Sequence, residues 1–116
     1  TDEGGRRAMT TLPSRHPDLD AVFAGSDVMA AGARQVLREA GRRIPDDVAL
    51  VGYDDSAIAR HMDPPLTSVR QPIEEMGRAM IDLLLTEIAD RRPAASRGLD
   101  RHQAVLPTEL VVRASS

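Results

Sequence analysis

The sequence predicts an α/β fold built on a parallel sheet, and three observations carry that expectation. Two short apolar runs, Asp20–Ser26 and Val48–Tyr53, flank a stretch of helical periodicity, Asp27–Ala40, so residues 20–53 read as one βαβ unit. A second and longer helical stripe follows from Ile73 to Ala89. The chain has 116 residues, enough for one compact domain but short of two full-sized ones.

Each element has its own signals. Residues 4–12 read as the end of a helix, with Met9 and Leu12 three apart, and Pro13 and Pro17 bound a turn holding Ser14, Arg15 and His16. The run around Ala21-Val22-Phe23-Ala24 is nearly all apolar, the pattern of a strand buried on both faces. From Asp27, Met29, Ala33, Val36 or Leu37 and Ala40 recur at helical spacing, and Gly41 stands where a helix-ending glycine belongs. After the turn Arg42–Asp47, the second strand stops abruptly at Asp54-Asp55. A third extended piece, Leu66–Arg70, lies between Pro64-Pro65 and Gln71-Pro72. In the long helix Ile73, Met76, Met80, Leu83 or Leu84 and Ile88 form the apolar stripe, with Pro72 suited to the first helical position. Asp90–Arg101 reads as a loop or weak linker, and Ala104–Val112 as a closing strand with Leu106, Leu110 and Val112 inward. There is no internal repeat.

Three or four strands and two helices do not close a doubly wound domain, because both faces of such a sheet need cover. Thr1–Arg7 carries neither an apolar signal region nor an initiating Met. The expectation is therefore a fragment, with further strands ahead of Thr1 and with helix 73–89 seeking a sheet of its own.

Composition excludes several chemistries. With no cysteine there is no disulfide scaffold, thiolate nucleophile or zinc knuckle, and His16, His61 and His102 lack partners at metal-ligand spacing. One Phe, one Tyr and no Trp require an aliphatic core. A formal net charge of -3 does not favour a phosphate-neutralising surface over the whole chain. No apolar run reaches the ~18 residues of a bilayer span, so a soluble, intracellular protein is expected.

In an open parallel sheet, ligands bind outside the carboxyl ends of the strands, and the unusual polar residues of this chain fall there. They are Ser26-Asp27, Tyr53-Asp54-Asp55 and Arg70-Gln71. Carboxylates accept hydrogen bonds from the vicinal hydroxyls of a sugar or ribose. A phosphate suits the edge less well, since no glycine-rich cradle exists and Asp27 occupies the helix start. Each residue also has a plainer role: Asp27 as helix cap, Asp54-Asp55 as a polar turn, Gln71 as a cap, Tyr53 as core filler. Ser26 lacks the Gly-x-Ser-x-Gly elbow of a nucleophile.

Five segments in fixed order carry a family resemblance: Val22–Ala33, Leu37–Gly41, Ile44–Asp55, Pro64–Pro72 and Leu106–Arg113. Together they resemble the carboxyl-terminal part of the lactose/galactose repressor (LacI/GalR) family of bacterial transcription regulators. The resemblance implies a periplasmic-binding-protein-like effector domain, here an incomplete three-layer parallel-sheet lobe. Residues 1–71 would form the carboxyl-terminal lobe, 72–103 a crossover helix and loop of the amino-terminal lobe, and 104–116 a returning strand and tail. By similarity Ser26, Asp27, Tyr53, Asp54 and Gln71 face a sugar or nucleoside effector in an interlobe cleft, with Ser26 standing where many relatives have Asn. Ala30, Ala31, Arg34 and Met62 would lie on a homodimer seam. Operator DNA would be read by an amino-terminal head outside this chain, in the cytoplasm, without cofactor, metal, membrane or catalysis. The ligand would act by its differential affinity for two lobe arrangements. Two other readings use the same residues: a periplasmic sugar-binding protein of a transport system, and a magnesium-dependent phosphoryl-transfer enzyme using Asp27, Asp54 and Asp55.

Overall fold

The structure, a computed structural model, describes residues 1–89 and 103–116. The expected loop Asp90–Arg101 and His102 lie outside the described residues. The chain divides into two compact units, residues 1–71 with 109–116 (unit 1) and residues 72–108 (unit 2).

Unit 1 opens with α1, Asp2–Arg15. Thr1 caps it through its hydroxyl, which accepts from Gly4 N at 3.1 Å, and Asp2 and Glu3 lie at the positive end of the helix dipole. Against the expected turn after Leu12, Pro13 lies inside the helix, which continues to Arg15. A proline in the last turn removes one ladder bond only, and His16 N still donates to Leu12 O at 2.9 Å, closing that turn.

Strand β1, Ala21–Phe23, sits at the end of the strand order β1-β2-β3-β4. Its Ala21 and Phe23 are exposed, Phe23 to 63 %, so the expectation of burial on both faces fails. Ala21 and Phe23 point to one face of the sheet and Val22 to the other, and of the three only Val22 packs against the core of unit 1. Helix α2, Asp27–Glu39, is stopped by Gly41 at φ 70°. Gly41 N donates to Arg38 O and Arg42 N to Leu37 O, the paired bonds of a Schellman ending. α2 crosses α1 closely: a Cβ on Gly32 would stand 2.1 Å from the Asp2 carbonyl oxygen, and one on Gly5 2.1 Å from that of Met29.

Strand β2, Ala49–Asp54, pairs in parallel with β1 and with β3, Thr67–Arg70. Between them lies a single-turn helix, α3 (Ala57–His61), which has no sequence signature of its own. It is held from outside: Leu66 N donates to Ala59 O, and Ala59 is wholly buried. Strand β4, Glu109–Val111, runs antiparallel to β3, making the sheet mixed rather than purely parallel. Leu110 and Val112, expected inward, are 56 % and 68 % exposed, and Leu106 is half-buried. The chain then stitches β2 to β3. Ser115 O accepts from Leu50 N, and its buried hydroxyl donates to Leu50 O and accepts from Thr67 N at 2.8 Å. The core is aliphatic as composition requires: Met9, Ala24, Ala30, Ala33, Leu37, Val48, Leu50, Ala59 and Leu66.

Unit 2 contains α4, Ile73–Ala89, whose bounds match the apolar stripe. Pro72 precedes it, and its carbonyl accepts the first helical bond, from Met76 N. No residue of α4 is buried. Among the described residues no helix is long and apolar enough to cross a membrane.

Candidate functional site

Because β1, β2 and β3 are parallel, their following residues gather at one margin of the sheet in unit 1. The register Asp54↔Arg70 puts the end of β2 beside the end of β3. There Gln71 Nε2 donates to Asp54 Oδ1 at 2.7 Å. The second carboxylate oxygen of Asp54 makes no hydrogen bond among the described residues, and Asp54 is half-buried. The backbone is unusual here: Asp54 has φ 109° and Asp55 φ 52°. Two consecutive non-glycine residues at positive φ cost about 1–3 kcal/mol each and persist only where their surroundings impose them.

The surroundings are well defined. Asp55 is a buried carboxylate with Arg70 Nε donating to its Oδ2 at 2.7 Å and Arg113 Nη2 to its Oδ1 at 2.5 Å. Arg60 Nη1 lies 3.9 Å from Oδ2 and donates to the Asp55 carbonyl at 3.0 Å. Burial alone pushes this carboxyl up, but the hydrogen bonds from Arg113 and Arg70 outweigh it and hold it below the ordinary carboxylate range. Arg70 also pairs with Glu109 across the β3–β4 register at 3.1 Å.

At the end of β1 the roles divide differently from expectation. The cap of α2 is Ser26, whose hydroxyl accepts from Met29 N at 3.2 Å, so Asp27 is not the cap. Asp27 is wholly buried, with Ser56 N donating to its Oδ2 and Ser68 Oγ to its Oδ1, both at 2.6 Å. An extended Ser26 presents its oxygen to the first helical amides, while the next side chain turns inward. Tyr53 is half-buried beside Asp54, outside the core cluster. Gln71 directs its Nε2 donor to Asp54, and Pro72 stands between it and the first residue of α4.

Sequence reasoning did not single out Ser68, Ser56, Arg113 or Gly52. Gly52, a glycine inside a strand pattern, was the available signal, whereas Ser68 does not stand out in a strand that reads Thr-Ser-Val-Arg. The Ser56 hydroxyl is buried and unpaired.

The carboxylates do not form a cation site. Asp27 is taken up by protein donors and Asp55 by guanidiniums, and no group of three His, Cys, Asp or Glu among the described residues is placed to hold a metal. That removes the support for magnesium-dependent phosphoryl transfer. His16 and His61 are exposed.

On the outer face of α2, Ala31 and Arg34 are half-buried, and Arg34 Nε donates to Asp63 O at 2.5 Å, next to half-buried Met62. Ala30 is wholly buried, its methyl group in the core of its own unit.

Comparison with known proteins gives a consistent picture. A family profile described as a periplasmic binding protein-like domain matches residues 2–116. The HTH-type transcriptional regulator CelR of Thermobifida fusca is 50 % identical over 115 residues, 99 % of this chain and 32 % of that protein. The solved transcriptional regulator CelR–cellobiose complex superposes with a TM-score of 0.88 at 49 % identity, covering 100 % of this chain and 34 % of the other. A LacI family regulator from Arthrobacter sp. FB24, solved with lactose, gives a TM-score of 0.79 at 31 % identity, covering 100 % and 42 %. The chain thus spans about a third of the length of the curated relatives it matches.

Proposed function

The chain belongs to the periplasmic binding protein-like effector-domain family of LacI/GalR-type regulators, and from that premise we propose that it is the effector-sensing and dimerisation part of a bacterial DNA-binding transcriptional regulator. Its ligand is a small sugar. The observation that carries this reading is the Asp54–Gln71 pair at the strand-end margin. Gln71 orients the carboxylate and occupies one oxygen, leaving the other to accept from a sugar hydroxyl, while the Gln71 carbonyl offers a further acceptor. Tyr53 supplies an aromatic face beside it, and the Ser26 end of α2 the opposite rim. Asp27, being internal, supports the site rather than touching the ligand. A sugar is favoured over a nucleoside because similar regulators were solved with cellobiose and with lactose.

The finer architecture follows from the same premise. The intact domain would complete a three-layer lobe around this sheet, with α4 as a crossover helix of the other lobe. Two copies would meet along α2 and the segment after α3 through Ala31, Arg34 and Met62, with Ala30 setting the α2 packing beneath them. Operator DNA would be bound in the cytoplasm by a head outside this chain. Sugar binding would shift the population of lobe arrangements, and with it the spacing of two heads. No bond is made or broken. The similar proteins are transcription regulators, which sets this reading above a transport binding protein.

Calorimetry on the full-length regulator with cellobiose, lactose and ribose tests it. Asp54→Ala should weaken the sugar that binds by more than about tenfold, the loss of a charge-assisted hydrogen bond, while operator affinity stays near that of the parent. Undiminished sugar affinity would remove Asp54 from the site.

A further inference from the structure

We propose that Asp27 is a positioning residue: from inside unit 1 its carboxylate sets the left-handed turn that offers Asp54 at the sheet margin. The proposal rests on the reading that Asp54 meets the sugar. Three observations carry it.

The first is that Asp27 has nothing to offer a ligand. It is wholly buried, and Oδ2 and Oδ1 are taken by Ser56 N and Ser68 Oγ at 2.6 Å each.

The second is where these bonds lead. Ser68 Oγ, while donating to Asp27, accepts from Asp55 N at 3.0 Å. The two amides that follow Asp54 are therefore both anchored to Asp27, Ser56 directly and Asp55 through one hydroxyl. These anchors lie immediately after the φ 109° and φ 52° residues. Such a backbone persists in non-glycine residues only where neighbouring groups over-determine it. Arg70 and Arg113 hold the Asp55 side chain from the other side, and Gln71 holds that of Asp54.

The third is the space given to the carboxylate. A Cβ on Gly52 would stand 2.5 Å from Asp27 Oδ1 and 2.6 Å from Leu66 Cδ2. β2 carries a glycine where the Asp27 carboxylate presses against it, two residues before the turn that the carboxylate fixes. Three segments remote in sequence, at residues 27, 52–56 and 68, thus meet around one buried side chain whose hydrogen-bond partners are in the turn or lead to it.

The geometry also dictates what an amide would do in its place. Asn at position 27 keeps the shape, but its NH2 must face either Ser56 N–H, a second donor, or Ser68 Oγ, whose own O–H then loses the oxygen it donates to. One anchor weakens and the core volume is unchanged.

The experiment uses the full-length regulator, its Asp27→Asn and Ser68→Ala variants, amide hydrogen exchange, and calorimetry with cellobiose as the probe. Both variants should speed exchange at Asp55 and Ser56 by about tenfold or more, with Leu50 and Gly52 unchanged, and should lower cellobiose affinity by a similar factor. Unchanged exchange at Asp55 and Ser56 in both variants would overturn the proposal. So would uniform acceleration across unit 1, the mark of a merely structural carboxylate, or a loosened turn with parental cellobiose affinity. If the parent itself does not bind cellobiose, the sugar reading fails on that ligand, while the exchange result still decides whether Asp27 sets the turn.

Discussion

α2 and α4 were both read from apolar stripes at helical spacing, yet they end in opposite conditions. α2 buries Asp27, Ala30, Gly32, Ala33 and Leu37. α4 buries none, with Ile73, Met80, Ile81, Leu84, Leu85 and Ile88 each 59 % or more exposed. The contrast separates two meanings of an amphipathic pattern. It states where a helix forms and which face wants cover, and leaves open whether the chain itself provides that cover. α2 has its sheet and α1 within the same unit, and small residues, Gly5 and Gly32, let the two helices approach.

Substitutions on the two helices measure the difference directly. Leu37→Ala removes a side chain only 2 % exposed in the core of unit 1, and urea denaturation of the 116-residue chain should show a loss of about 3 kcal/mol. Acid should produce a smaller and localised effect. Asp55 has its folded carboxyl below the unfolded value of about 3.9, so its contribution is complete above that pH and is lost as pH falls towards the folded value. The thermal midpoint of unit 1 should therefore drop below about pH 4, and Asp55→Asn should flatten that part of the profile. The smallest effect is expected on α4, where Leu84→Ala should change stability by less than about 0.5 kcal/mol. A loss at Leu84 as large as that at Leu37 would mean that a second copy of the chain covers α4, and sedimentation would then show a dimer.

Much of the fold was legible, and the particulars show why. Strand-helix-strand over residues 20–53 follows from spacing and from Gly41, whose Schellman bonds are a local matter. The bounds of α4 are also local. The errors came where neighbours decide. Pro13 stays helical because the last turn tolerates a missing donor. Phe23 is exposed because it points to the face of β1 opposite Val22, the β1 side chain that packs on the core. α3, five residues long, owes its existence to Leu66 and Ala59 rather than to any period. In the site, parallel strands brought Asp54 to Gln71 as the strand-end pattern implied, whereas Asp27 turned inward.

By itself the sequence determined the α/β class, the aliphatic core, the helix stops and the polar character of the strand ends, since these depend on periodicity, composition and capping within a few residues. Only the tertiary structure decided which of the acidic residues stays open at the margin. Asp27, Asp54 and Asp55 are alike as side chains; Ser56 and Ser68 draw the first inside, two arginines close around the third, and Gln71 leaves one oxygen of the second uncommitted. Those partners lie up to 58 residues away along the chain, so no local pattern encodes the assignment.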